Sequence, residues 1–108
     1  MIIDFSQLEE NKIEHMRNGE GYIKMIKFFD NKNTIAHIII PPHCSIGIHT
    51  HEKDQEIIYV IKGEGICIEN GKEYILKQGN ANYCPQHCNH SIVNNSINDL
   101  ELFAIITK

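Results

Sequence analysis

The chain is cut into short, β-branched apolar segments, each closed by turn-forming residues, and few folds are compatible with that pattern. Tyr22 to Phe29 ends on the cluster Asp30-Asn31-Lys32-Asn33, and Thr34 to Ile40 is stopped by Pro41-Pro42. Ser45 to His51 alternates, which sets Ile46 and Ile48 on one face and Gly47, His49 and His51 on the other. Ile57 to Ile61 is nearly continuous in apolar residues, as for a strand covered on both faces. Gly63-Glu64-Gly65 breaks the chain ahead of Ile66 to Ile68. Asn70-Gly71 then reads as a tight hairpin turn, with Glu73 to Lys77 as the return strand. Ala81 to Cys84, His90 to Val93 and Leu100 to Ile106 complete a series spaced for an all-β barrel or sandwich. Helix is expected in one place only, where Ser6-Gln7-Leu8-Glu9 fits a capping box ahead of a polar stretch ending near Asn18-Gly19. The expected organisation is one domain over 1–108, with an N-terminal extension, 1–21, preceding a barrel, 22–107.

A chain of 108 residues supports one modest core. A net charge of −4 without any basic run excludes the electrostatic footprint of a nucleic-acid binder. No apolar stretch reaches the roughly 18 residues of a membrane span. The start Met1-Ile2-Ile3-Asp4 lacks the charged and apolar regions of a signal peptide, so the expected location is cytoplasmic. In that reducing setting Cys44, Cys67, Cys84 and Cys88 are expected to be free thiols. Cys84 and Cys88 have CxxxC spacing, but no second cysteine pair completes a structural zinc site.

The chemistry concentrates in two spacings. His49-Thr50-His51 is followed after four residues by Glu56 and after six more by Gly63. A second run leads from Gly79 through Pro85 to His90 and Asn94. Neutral imidazole and carboxylate bind divalent metals at roughly 2 Å, and a strand holds two imidazoles side by side at little entropic cost. Together the two runs resemble the paired motifs of the cupin superfamily, GX5HXHX3-4EX6G and GX5PXGX2HX3N, and the likeness extends over roughly residues 35–106. The 15 residues between Gly63 and Gly79 equal the short spacing of small microbial cupins.

The resemblance implies a double-stranded β-helix (jelly-roll) barrel with His49, His51, Glu56 and His90 as metal ligands. Gly63, Gly79, Pro85 and Asn94 fall on framework positions. Two framework glycines are replaced, by His43 and by His87, and His87 must either tolerate left-handed backbone or sit in a different turn. Manganese, iron, zinc and nickel are the metals the resemblance implies, with up to two positions of a six-coordinate ion left for a ligand. One implied function is a metalloenzyme acting on a small molecule, either a dioxygenase or a Lewis-acid isomerase, epimerase or lyase. Glu56 would then double as a base, and His43 and His87, each near a ligand-bearing strand, are the candidate acid–base groups. The alternative is a non-catalytic module that binds a small anionic or sugar-like ligand through the metal. The resemblance also implies a homodimer that covers exposed sheet edges and apolar surface.

Overall fold

The computed structural model describes residues 1–108 and contains ten strands in two antiparallel sheets. They are β1 (Glu10–Glu14), β2 (Tyr22–Phe29), β3 (Asn33–Ile40), β4 (Ser45–Thr50) and β5 (Gln55–Lys62), then β6 (Glu64–Glu69), β7 (Lys72–Lys77), β8 (Ala81–Cys84), β9 (Asn89–Val93) and β10 (Leu100–Thr107). One sheet has the order β1-β2-β3-β10-β5-β8 and the other β4-β9-β6-β7. The sheets close on a shared core in which Ile23, Ile40, Val60, Ile92, Leu100 and Leu102 are completely buried. This is the all-β barrel that the strand series allowed, in the jelly-roll form that the resemblance implied. No helix is long and apolar enough to cross a membrane.

The Asn70-Gly71 hairpin forms as read, with both residues at positive φ (49° and 77°), the backbone that matches strand twist in a two-residue turn. Gly63 is required for two reasons. Its φ is +97°, and a Cβ there would meet the Asp99 carbonyl oxygen at 2.6 Å.

Three expectations need correction. The N-terminal helix does not form. Asp4, not Ser6, caps a 3-10 turn at Phe5–Gln7, and residues 10–14 pair with β2 as an edge strand. Leu8, Ile13 and Met16 are too sparse to give a helix an apolar face, whereas the open edge of β2 offers a full ladder of backbone partners. In β4 the simple alternation fails, because the pairing with β9 shifts between Ile46 and His49. That irregularity puts Ile46 on the inner side together with His49 and leaves Ile48 exposed. Finally, β5 is covered on one face only. Glu56, Ile58 and Val60 point inward, while Ile57, Tyr59 and Ile61 are exposed at 42%, 49% and 37%.

The two histidines at glycine positions take up left-handed backbone, His43 at φ 63° and His87 at φ 73°. Histidine is among the residues that tolerate this region better than most. The motif asparagine also has a structural reason. Asn94 is completely buried, its amide donates to the carbonyls of Ile40 and Asn98 at 2.8 Å each, and its oxygen accepts from the Ser96 N–H and hydroxyl. Asn94→Ala is expected to cost roughly 2–4 kcal/mol in denaturant unfolding, since it strands the buried Ile40 carbonyl and removes the bonds that tie Ser96 and Asn98 to the core. A loss within 0.5 kcal/mol would refute this account.

Candidate metal centre

Adjacent strands carry the chemistry to one end of the barrel. His49 on β4 lies directly opposite His90 on β9, and His51 follows β4 by one residue. Glu56 on β5 stands opposite Ile106 and Cys84, at the end where β10 finishes and β3 begins. The ligand atoms of His49, His51, Glu56 and His90 all lie within 4.8 Å of one another. The Glu56 carboxylate is 2.8 Å from His90 Nε2, 3.1 Å from His51 Nε2 and 3.8 Å from His49 Nε2. His90 Nε2 is 3.1 Å from the Nε2 atoms of both other histidines.

Each ring is turned by a partner on its far side. His49 Nδ1 donates to the Gly47 carbonyl at 2.8 Å, His51 Nδ1 to Asp54 at 2.7 Å, and His90 Nδ1 to the Asn82 side-chain oxygen at 2.7 Å. A carbonyl can only accept, and a carboxylate accepts in its ordinary ionised state. The orientation of Asn82 is set in turn by its amide, which donates to Glu69. Each Nδ1 therefore carries a proton, and the three Nε2 atoms face a carboxylate and one another across a few ångströms. That arrangement is repulsive unless a cation or proton stands between them. The donor set fits a divalent transition metal, and the Nδ1 partners are the groups that orient such ligands.

A family model described as a cupin domain matches residues 36–106. The chain is a cupin. An oxalate-binding protein of Thermotoga maritima is 32% identical over 98% of this chain and 93% of its own length. A crystal structure from the same organism, described as a predicted oxalate decarboxylase, superposes with a TM-score of 0.92 at 34% identity, covering 99% of this chain and 98% of that one. An RmlC-like cupin of Shewanella frigidimarina, 18% identical, shares the fold with a TM-score of 0.81 over 98% of this chain and 88% of its own.

In this cupin the electrostatics of the cluster follow from its contacts. Burial pushes the Glu56 carboxyl up, but the imidazoles of His49, His51 and His90 gathered around it outweigh burial and hold the group well below the ordinary carboxylate range. The hydrogen bond to Glu56 raises the His51 pKa against the opposing effect of burial, with Asp54 adding to the rise. All four cysteines are free. Burial pushes the Cys67 thiol up to about 12 and the Cys84 thiol up to about 11, so both remain protonated packing groups.

Above the cluster lies a small cavity of about 60 Å³. His49, His51, Glu56, Arg17 and Thr34 contribute polar groups, and the rest of the wall is aliphatic or methionine side chain. Neither His43 nor His87 is on it. His43 is exposed in the β3–β4 loop, where its N–H donates to the Asn94 carbonyl beyond the opposite end of β3. His87 is exposed and contributes its backbone, whose N–H donates to the His51 carbonyl. His37 is a half-buried strand residue of β3 paired with Glu101 at 2.7 Å. Sequence reasoning did not single out Asp54, Asn82, Glu69 or Arg17. Asp54, three residues after His51, was visible as a nearby carboxylate, but nothing in the spacing marked the other three.

Proposed function

We propose that this cupin holds one divalent transition metal (manganese, iron, zinc or nickel) on His49, His51, Glu56 and His90, and through it binds a small dicarboxylate of oxalate size. The observation that carries the metal is the convergence of three Nε2 lone pairs and a buried carboxylate, with every Nδ1 already committed elsewhere. When bound, the ion supplies Lewis acidity and open positions for ligand oxygens.

Cavity size and lining select the ligand. A space of about 60 Å³ admits a handful of non-hydrogen atoms, well below the 300–1,000 Å³ of drug-sized pockets. A sugar would leave hydroxyls unpaired against Met25, Ile38, Ile46, Ile58 and Ile92. A compact dianion can place its oxygens on the metal and the few polar groups. The relative named for oxalate binding supports the same ligand. Binding is favoured over catalysis because no untethered acid or base lines the cavity: Glu56 is engaged by three imidazoles, and His43 and His87 lie elsewhere. The exposed outer face of β5 and β8, with Ile57, Tyr59, Ile61 and Tyr83, supports a homodimer through that face. An aspartate at Tyr59 is expected to shift the sedimenting species to monomer, and an unchanged mass would remove this face from the interface.

The test is calorimetry on protein stripped of metal and reloaded. One ion per chain is expected, with oxalate binding to the loaded form and not to the stripped one. Oxalate binding that ignores metal, or no binding at all, would sink the reading. The pH dependence has a definite sign. His51, with its raised pKa, stabilises the metal-free chain below the ordinary histidine value of 6.5 and stops doing so as pH rises through the raised value. Glu56, with its depressed pKa, stabilises it above the ordinary value of 4.5 and stops doing so as pH falls through the depressed one. A metal must displace the His51 proton, so affinity should climb about tenfold per pH unit until that proton is gone. A flat profile across the histidine range would contradict the assignment of His51.

A further inference from the structure

Arg17 is the only arginine in the chain, and it stands at the mouth of the cavity beside His49, His51 and Glu56. Its turn, Met16–Asn18, is docked against β4 so closely that a Cβ on Gly47 would lie 2.0 Å from the Arg17 carbonyl oxygen. Arg17 has φ 54° and ψ 36°, and His15 and Asn18 are also left-handed, at φ 51° and 63°. Left-handed backbone is costly for a side chain such as arginine, and it persists where surrounding contacts enforce it, often at ligand clamps. Arg17 takes part in no ion pair. Arg17 is exposed and lines the cavity, so its guanidinium is a solvated cation without a partner of its own beside the proposed metal centre.

We infer that Arg17 is the specificity-determining residue of this site, gripping the outer carboxylate oxygens of a dicarboxylate whose inner oxygens face the metal. The inference rests on the dicarboxylate reading given above. A guanidinium fork matches carboxylate oxygens in pairs, which a lysine ammonium cannot do. Charge points the same way. A divalent ion with Glu56 leaves one positive charge facing the cavity, Arg17 adds a second, and a dianion neutralises both. A monocarboxylate on the metal would have no second carboxylate to offer the exposed guanidinium and would gain nothing from it.

The experiment compares oxalate and formate binding to manganese-loaded wild-type, Arg17→Gln and Arg17→Lys proteins by calorimetry, with metal content measured on the same samples. Arg17→Gln is expected to keep its metal, lose about tenfold to a hundredfold in oxalate affinity, and change formate affinity less than about twofold. Arg17→Lys should recover part of the loss, because it restores the charge without the fork. Unchanged oxalate affinity in Arg17→Gln overturns the inference. So does an equal loss for oxalate and formate, or loss of the metal, since each would make Arg17 a support of the turn rather than a ligand contact. Failure of loaded wild-type protein to bind oxalate at all is a different result, and it removes the underlying reading together with the inference.

Discussion

His90→Ala is expected to weaken metal binding by about a hundredfold to a thousandfold. A structural four-ligand site is worth roughly 10–16 kcal/mol, so one ligand accounts for a few kcal/mol of it. His90 is the substitution to choose because it is completely buried and its Nε2 touches all three other members of the cluster. The loss has a second readout. Metal that binds only the folded chain raises the melting temperature, so a chelator should lower it in wild-type protein and leave His90→Ala unmoved. Asn82→Ala supplies the graded control. It removes only the acceptor that holds His90 Nδ1, and such outer partners are worth about tenfold to a hundredfold in metal affinity. If Asn82→Ala cost as much as His90→Ala, the proposed division between ligand and orienting group would be wrong. If a chelator shifted the melting of His90→Ala as it does the wild type, the metal would be bound elsewhere.

Gly47→Ala is expected to damage both the fold and the metal affinity through one added methyl group. The new Cβ would meet the Arg17 carbonyl oxygen at 2.0 Å and the Gly19 nitrogen at 2.9 Å, both backbone atoms that cannot swing aside. The turn must lift from β4, at a cost of about 1–3 kcal/mol for overpacking. The Gly47 carbonyl also receives His49 Nδ1–H, so displacement of this peptide should lower metal affinity by about tenfold or more. Gly19→Ala separates the two effects. Its Cβ would meet the Ser45 carbonyl oxygen at 2.2 Å and the Gly47 nitrogen at 2.8 Å, which lifts the same turn while adding no side chain at the residue that accepts from His49. Similar melting losses, with a clear metal defect only in Gly47→Ala, are the expected pattern. A Gly47→Ala protein as stable as wild type would show that the turn is not seated on β4 in solution.

Strand positions were readable because a period of two and local turn chemistry are properties of a few consecutive residues. The Asn70-Gly71 hairpin, the extent of β2 and the extent of β8 follow from neighbours in the chain. Much of the metal cluster was legible for a related reason: its spacings resembled a known pair of motifs, and those spacings are kept by the barrel that brings β4, β5 and β9 together. What failed depended on pairing between distant segments. Ser6-Gln7-Leu8-Glu9 carries a helix start in its residues, but the free edge of β2 offered residues 10–14 a better set of hydrogen-bond partners. Ile46 and Ile48 looked equivalent until the irregular pairing with β9 turned one inward and the other out. The apolar run in β5 read as doubly covered, although in the single chain only one face has a partner.

Side-chain chemistry and short spacings were enough to specify the strand series, the four candidate ligands and the framework residues around them. The tertiary structure alone decided how that site is tuned. Asp54 behind His51, Asn82 and Glu69 behind His90, and the Gly47 carbonyl behind His49 fix which nitrogen of each ring faces the centre. Arg17 reaches the cavity mouth only because a glycine 30 positions away lets its turn come against β4. No periodicity records such contacts, since they arise where backbones far apart in the chain are forced to touch.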